Sequence, residues 1–417
     1  MATATTASAG PPAETDRPGS RWDFHRYLAG SATSTFGTIF TGVAASALAV
    51  QTFHVTGFQA GLLTAASTMP ALLVMPVAGA FADRVARPRR VLIGTELAAG
   101  LAVGAFMVGV ATHLAGYGWL LALTLVLGVL TAIAGTLFFI HLNSLRSGAL
   151  AESRARLQAT SYVVGLGASA SAAPAISAFG PVTALATDAV SYLVSAVSLR
   201  SIRTPDRNPA LDPSRAPAPV HREAVEGIRI LIRSRLRPVV MYVVIGQSAF
   251  AGVVALKALF FLRTLRMPLY LYGIPGLCGT AFGVLGSIVA SRSVRAGRDA
   301  GRLTAGYWAG AATSLLLLPA SAGPLPVAVA SVSASLTAFT LCGAAANVAL
   351  VALISESTPE HAMGRVTSSV MVVGTLATTV GALAAGGLAE LLGIRDALWC
   401  CCLTGVAALP LLRSLLR

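Results

Sequence analysis

Long apolar runs separated by short polar stretches occupy most of this chain. Each run is long enough to cross a bilayer as an α-helix, which takes about 20 residues. Six runs come first, near 27–50, 58–81, 91–112, 117–140, 160–180 and 182–200. Six more follow, near 238–262, 268–291, 303–322, 326–355, 366–390 and 395–413. The pattern therefore predicts an all-α integral membrane protein with twelve transmembrane helices in two six-helix bundles.

A polar stretch divides the two sets of spans. Residues 1–21 hold no apolar run and no secretory signal, and they predict a disordered cytoplasmic tail. An N-terminal bundle over 22–200 and a C-terminal bundle over 237–417 are joined by a basic cytoplasmic linker over 201–236. From about Pro219 the linker is amphipathic, and two interpretations stay open: a short helix on the membrane surface, or a solvated tether.

Composition places the chain in the membrane class. It is 55% hydrophobic and 11% charged, with a mean hydropathy of +0.75, whereas soluble domains carry about 25% charged residues. The formal charge is +14, but the basic residues are not interleaved with aromatic ones as in a nucleic-acid-binding domain. The five Cys residues have no metal-binding spacing. We therefore expect membrane lipids as partners, and no nucleic acid, cofactor or metal.

The placement of the basic residues predicts the orientation. With a cytoplasmic N-terminus, nearly all of the 30 Lys and Arg residues fall in cytoplasmic segments, as the positive-inside rule requires. The exceptions are Lys257, Arg263, Arg266 and Arg395. The sequence thus predicts a multi-pass protein of the cell membrane with both termini in the cytoplasm.

A motif with one glycine, one aspartate and four arginines occupies the loop between the second and third spans. Its chemically distinctive residues are Gly79, Asp83, Arg84, Arg87, Arg89 and Arg90. The glycine lets a neighbouring helix approach closely. The carboxylate can accept hydrogen bonds from the N-terminus of a helix in the other half, where the macrodipole favours an anion. The arginines can pair with acids or lipid phosphates, or can serve only to set the topology.

This loop resembles the signature G-x-L-A-D-R-x-G-R-[KR]-[KR] of the major facilitator superfamily. The departures are Phe81, Ala86 and Pro88. The resemblance implies the major facilitator fold, transport by alternating access, and a loop that latches the outward-open state. The second half carries a decayed copy from Gly286 to Arg295, in which Ala290 replaces the acid.

Two further segments resemble particular branches of this superfamily. The Gly364-Arg365 pair and the glycines that follow it look like the enterobactin-exporter and macrolide-efflux branch. Exporters of the superfamily also carry G-x-x-x-G-P-x-x-G-G in the fifth span. The matching positions here are Ser169, Ala173, Pro174 and Ser177. This resemblance implies an exporter-type kinked helix, and the alternative is a general small-residue packing face.

Charged residues inside spans need an explanation, since each costs about 2.5–3.5 kcal/mol at a helix centre. Asp188, in the outer half of the sixth span, is the first candidate for proton coupling, and local pairing with Ser191 is the alternative. Glu96, one turn into the third span, is a second candidate, with pairing to the arginine cluster favoured over coupling.

Several polar residues are candidates for the wall of a substrate cavity. They are Gln247, Asn347 and Lys257, with His141 and Asn143 at the end of the fourth span. Hydrogen bonding between helices explains the neutral ones equally well, and snorkelling to the membrane surface explains the lysine. The first span holds no acid, so drug exporters with a carboxylate there are a poor guide.

We therefore predict a monomeric secondary active transporter that exports small amphipathic molecules by proton antiport. The substrate would be a drug, macrolide or siderophore-like molecule, which implies a part in multidrug or antibiotic resistance. The alternative is a lipid-handling or sensory membrane protein that keeps the transporter shell without proton coupling. An enzyme is not expected, because the chain has no HExxH, GxSxG or phosphate-loop motif.

Overall fold

The structure is a computed structural model that describes residues 18–82, 85–145, 150–206, 237–357 and 360–415, and within them all regular elements are helical. The first half contains α1 Pro18–Ala47, α2 Gly57–Ala82, α3 Pro88–Ala111, α4 Tyr117–Leu145, α5 Leu150–Phe179 and α6 Pro181–Arg200. The second half contains α7 Arg237–Leu259, α8 Ile274–Arg295, α9 Ala300–Ser314, α10 Leu317–Ala320, α11 Leu325–Ser357, α12 Glu360–Leu392 and α13 Ile394–Ala407. Short 3₁₀ turns cover Leu269–Leu271 and Leu409–Leu415. Because α1 begins at Pro18, the predicted boundary of the tail at residue 21 falls inside a helix.

Within the described ranges, eleven helical segments are long and apolar enough to cross a membrane. The remaining predicted span, near 303–322, is formed by α9 and α10 with a break at Leu315 and Leu316. Pro319 explains the break, because it has no N–H to donate to the Leu315 carbonyl four residues earlier. That carbonyl accepts the Leu318 N–H at 3.0 Å and the Cys402 thiol at 3.4 Å instead. The predicted all-α membrane fold of two six-span bundles is confirmed.

Each half packs as its own bundle. In the first half, α1 lies against α5 and α6, α3 against α4 and α6, and α2 against α4. In the second half, α7 lies against α12 and α13, and α11 lies between α8 and α9. Small residues permit this close approach. Gly286, for example, packs on the Leu341 backbone, and Gly381 packs on the Ser248 backbone.

The two halves repeat a local backbone feature that composition does not show. The first helix of each half ends in a π turn, at Leu48–Thr52 and at Phe260–Thr264. Each turn is followed by a residue of positive φ, His54 at 47° and Arg266 at 50°. The hydrogen bonds also correspond, since Phe53 N–H donates to Leu48 O at 2.8 Å and Leu265 N–H donates to Phe260 O at 2.9 Å. Such a correspondence is expected of parallel structural repeats.

The helices run between two ends of the molecule, the base and the top. The base is the end at which α1, α3 and α7 begin. The top is the opposite end, which contains the connections 53–56 and 265–273. The predicted surface helix after Pro219 belongs to 207–236, outside the described residues.

Candidate functional site

Glycine residues allow the two halves to pack closely against each other at the top. A methyl group at Gly57 of α2 would lie 2.7 Å from Ala389 Cβ of α12, and one at Gly61 would lie 3.2 Å from Gly386 Cα and closer still to Ala382 O. The Phe58 N–H also donates to Glu390 Oε1 at 3.3 Å. No side chain larger than hydrogen fits at these glycine positions, so α2 and α12 meet backbone to backbone.

The predicted exporter-type helix α5 takes part in the same closure. A methyl group at Gly273, just before α8, would lie 2.6 Å from the Ser169 carbonyl oxygen and 3.4 Å from Ala173 Cβ. Pro174 lies inside α5, and Pro174 and Ser177 are exposed. Of the four positions identified in the sequence, Ser169 and Ala173 therefore pack on a glycine of the other half.

Below the top, one hydrogen bond joins the halves in the described chain. The hydroxyl groups of Thr68 in α2 and Thr379 in α12 lie 3.1 Å apart. Among the described residues, the hydrogen bonds and close glycine contacts between the halves all lie between this pair and the top.

A cavity of about 860 Å³ extends along the inner face of the second half. Most of its wall comes from α7, α8, α9, α11, α12 and α13, and the first half contributes Thr68 and Tyr162. Three residues predicted from sequence line it, namely Gln247, Lys257 and Asn347. Lys257 therefore lines the cavity.

Aromatic rings form two pairs on the cavity wall. Phe250 and Phe339 stack with centroids 4.5 Å apart and planes 22° apart. Tyr242 and Trp308 lie 4.9 Å apart, and the Tyr242 hydroxyl donates to Trp308 O at 3.3 Å. Stacked rings bind flat apolar groups well. The cavity can therefore hold an amphipathic molecule that makes polar contacts with the amides and the amine.

The two acidic candidates of the spans are buried together in the first half. Asp188 of α6 is 0% exposed and Glu96 of α3 is 5% exposed. Their charges are close enough to interact, and both residues lie outside the wall of the cavity. Sequence reasoning did not pair them, because they are far apart along the chain and only the fold brings their helices together.

Hydroxyl groups surround the Asp188 and Glu96 carboxyl groups but leave some of their hydrogen-bonding capacity unused. Ser191 Oγ donates to Asp188 Oδ1 at 3.2 Å, as the local-pairing alternative predicts. Thr41 lies near Asp188, and Ser34 and Ser195 lie near Glu96. Even so, four buried oxygens have no hydrogen-bond partner within the described ranges: Asp188 Oδ2, Glu96 Oε2, Thr41 Oγ1 and Ser195 Oγ. Gly37 of α1 makes room for the pair, because a methyl group there would overlap Asp188 Oδ1 and Ser191 Oγ.

The expected partner of Glu96 must be corrected. Its polar neighbours are Asp188, Ser34 and Ser195, and no arginine is among them in the described chain. Glu96 also lies more than two turns into α3, which begins at Pro88. This depth separates it from the arginines at the helix start.

The arginine loop is described only in part. Asp83 and Arg84 lie outside the described residues. For Gly79, Gly364 and Arg365 the structure describes the helical backbone only. Arg87 is exposed and precedes α3. The Arg89 guanidinium donates to the carbonyl oxygens of Ile202 at 2.8 Å and Thr204 at 2.9 Å. This arginine therefore holds the segment after α6, a partner that sequence did not suggest.

Two aspartates at the base were missed by sequence reasoning. Asp206 caps α3, accepting the N–H groups of Arg89 at 3.0 Å and Arg90 at 3.3 Å. Asp23, buried in α1, accepts three hydrogen bonds from Arg203 and Thr204, at 2.7 to 3.1 Å. We call residues 201–206 with these contacts the base clasp. It fastens the start of the linker to the first half.

His141 belongs to the same region and not to the cavity. It is buried, and its ring lies 5.9 Å from that of Tyr27. The side chain of Asn143 lies outside the described residues.

Comparison with known proteins agrees with this architecture. The family model described as Major Facilitator Superfamily matches residues 27–382. No curated protein matches the sequence significantly.

Several solved structures with similar folds are transporters. A point mutant of the nucleoside transporter NupG has a TM-score of 0.77 at 9% identity, covering 96% of this chain and 100% of that one. A bacterial homologue of the iron transporter ferroportin, in an inward-facing state, has a TM-score of 0.73 at 17% identity, covering 95% and 99%. A bacterial homologue of the human lysosomal transporter Spinster, also inward-facing, has a TM-score of 0.63 at 13% identity, covering 96% and 95%. At these identities the likeness establishes the fold alone.

Proposed function

Because this chain belongs to the major facilitator superfamily and is therefore a multi-pass membrane transporter, we propose that it exports small amphipathic molecules by alternating access with proton antiport. The observation that carries the proposal is the cavity along the second half, together with hydrogen bonds and close glycine contacts between the halves that, in the described chain, all lie between the Thr68 and Thr379 pair and the top. The cavity has stacked aromatic rings and a few polar groups, which suit an amphipathic substrate.

The proposed orientation is supported by the basic residues. The arginines at the starts of α1, α3 and α7 lie at the base, and the positive-inside rule places such ends in the cytoplasm. With the base cytoplasmic, the glycine contacts at the top close the outer side. Under this orientation, we assign the described conformation to the inward-facing state.

The direction of transport is supported by α5. Ser169 and Ala173 of this helix pack on Gly273 at the top, as expected if the helix closes and opens the outer exit of an exporter. The resemblance to the enterobactin-exporter and macrolide-efflux branch gives the substrate range: macrolides, siderophore-like molecules and other drugs.

We assign proton coupling to the Asp188 and Glu96 pair. Both carboxyl groups are buried on the packed helices α3 and α6, and each has an oxygen without a partner in the described chain. Such a group can bind a proton in one conformation and release it in the other when its surroundings change. Since α1, α3 and α6 form the site, a movement between these helices changes those surroundings.

The arginine loop completes the proposed cycle as a latch. In the outward-open state, Asp83 and the arginines beside it would hold the base shut against the start of α12, where Gly364 and Arg365 lie. In the inward-facing state this contact would be released, and the top contacts through Gly61 and Gly386 would take its place.

Transport in inverted membrane vesicles tests the proposal. Three labelled probes represent the proposed substrates: a macrolide, a catechol-type siderophore and an aromatic sulfonate. We expect at least one to accumulate when the vesicle lumen is acidified, and the accumulation to disappear when a protonophore removes the gradient. Asp188→Asn should abolish this dependence, whereas Asp396→Asn, an exposed aspartate at the top, should preserve it. Accumulation that ignores the gradient would favour the lipid-handling or sensory alternative.

A further inference from the structure

We propose that the top end of the cavity is an organic-anion site, in which Lys257 is the counter-ion for a single acidic group of the substrate. The inference rests on the proposed function for the meaning of the cavity. Its test is a binding measurement that does not require transport.

Lys257 is unusual in this chain. It is the only lysine, and all of the other residues among the 30 Lys and Arg are arginine. Most of the arginines in the described ranges lie at the base, where positive charge favours a cytoplasmic position, but Lys257 lies near the top end of α7 and lines the cavity. Topology therefore does not account for it.

The ammonium group has no partner within the described chain. No hydrogen bond or ion pair involves Lys257 there, and no Asp or Glu is among the described cavity-lining residues. Lys257 is partly buried, and a partly buried charge is favoured when an opposite charge lies near it. Because no acidic residue is among the described residues of the wall, an anionic ligand can supply that opposite charge.

The surroundings of Lys257 favour an anion over a neutral polar group. The first turn of α8, at Pro275 and Gly276, lines the same top end of the cavity, and the N-terminus of a long helix carries partial positive charge. A methyl group at Gly276 would meet nothing within 4 Å. The space beside this helix end is therefore available to a ligand.

The other cavity-lining residues indicate the shape and polarity of the ligand. Gln247, on the same helix as Lys257, lies about 15 Å nearer the base at about 1.5 Å per residue. The stacked Phe250 and Phe339 rings lie on the wall between the base and the lysine. The site thus suits an elongated aromatic molecule with its acidic group at the top and an amide-binding or hydroxyl-binding group towards the base. With no second cation in the described wall, a monoanion fits better than a dianion.

Two probes of nearly equal shape test the charge requirement. Naphthalene-2-sulfonate is anionic and naphthalene-2-sulfonamide is neutral at pH 7. We expect the purified full-length chain in detergent to bind labelled sulfonate more tightly than sulfonamide. Lys257→Gln should weaken sulfonate binding by about tenfold, in the range of a lost charge-assisted hydrogen bond, and should leave sulfonamide binding within about twofold. Lys257→Arg should restore the preference, and Arg263→Gln, an exposed arginine near the same end, should not disturb it.

The single lysine allows a second measurement without substitution. An amine-reactive reagent can modify only Lys257 and the N-terminal amine, so mass spectrometry of the two peptides reports the site directly. We expect the sulfonate, and not the sulfonamide, to protect Lys257 while the N-terminus reacts at the same rate. The inference would be overturned if both probes protected Lys257 equally, or if Lys257→Gln weakened the binding of both probes to the same extent. It would also be overturned if neither probe bound. Absence of transport with intact sulfonate binding would count against the proposed function alone.

Discussion

Gly61 of α2 and Gly386 of α12 pack backbone to backbone, so that a methyl group on either would lie 3.2 Å from the Cα of the other. The two residues belong to different halves and are far apart in the sequence. Their contact closes the top of the molecule, above the cavity. A larger side chain at either position should therefore shift the equilibrium between conformations more than it destabilises either bundle.

Gly386→Val should shift the protein towards a state open at the top. Its methyl groups would overlap Gly57 O, 2.8 Å from the first added carbon, and overpacking of this kind costs about 1–3 kcal/mol, or roughly 5- to 150-fold in a two-state ratio. Spin labels at Gln59 and Leu391 should report longer distances. Gly387→Val is the matched control, because a methyl group at Gly387 would meet nothing within 4 Å. Unchanged distances in Gly386→Val would show that the contact does not set the closed state.

Gly37→Ala should damage the acidic site selectively. The new methyl group would overlap Asp188 Oδ1 and Ser191 Oγ, displacing the carboxyl group from the site that it shares with Glu96. We expect loss of gradient-dependent transport and a loss of stability of about 1–3 kcal/mol. Gly42→Ala, in the same helix with nothing within 4 Å, should transport normally. Equal activity of the two variants would show that the position of Asp188 is unimportant for coupling.

The Thr68 and Thr379 hydroxyl pair should contribute energy that a double-mutant cycle can detect. The two groups lie 3.1 Å apart across the interface between the halves, and a hydrogen bond contributes about 0.5–1.5 kcal/mol net. Thr68→Val, Thr379→Val and the double variant, compared by thermal unfolding, should give a coupling energy in that range. A coupling energy near zero would mean that the hydrogen bond does not hold the halves together.

The base clasp should protect the start of the linker. Asp23→Asn replaces a carboxylate that accepts three hydrogen bonds from Arg203 and Thr204, and hydrogen bonds to a charged group contribute about 1.5–3 kcal/mol each. We expect faster tryptic cleavage after Arg203. Trp22→Phe alters an adjacent residue that is exposed and should leave the cleavage rate unchanged. If both variants resist trypsin equally, the clasp is not what protects this segment.

Much of the fold could be predicted from sequence because a bilayer fixes how long an apolar helix must be. The sequence predicts one continuous span near 303–322, whereas the structure divides this segment between α9 and α10. Pro319 was the available signal, since a proline inside a span removes one backbone donor. The paired π turns at Leu48–Thr52 and Phe260–Thr264 left no comparable sign in the residue pattern.

The site could be predicted only as a collection of residues. Lipid and bundle interior are both apolar, so the hydrophobic pattern of a span does not fix which face turns inwards. For this reason Lys257 could not be placed in the cavity, and Asp188 could not be placed beside Glu96, before the helices were assembled. Asp23 and Asp206 were missed because they lie outside the predicted spans, where an acid needs no special explanation.

The coupling of proton movement to substrate movement is the central claim, and it can be recorded directly. Proteoliposomes that contain the full chain, a trapped pH-sensitive dye and an outward gradient of the membrane-impermeant naphthalene-2-sulfonate provide the measurement. We predict that the lumen acidifies as sulfonate leaves, because protons enter in exchange, and that Asp188→Asn removes the acidification. Sulfonate efflux from the unmodified protein with no change in lumenal pH would contradict this coupling.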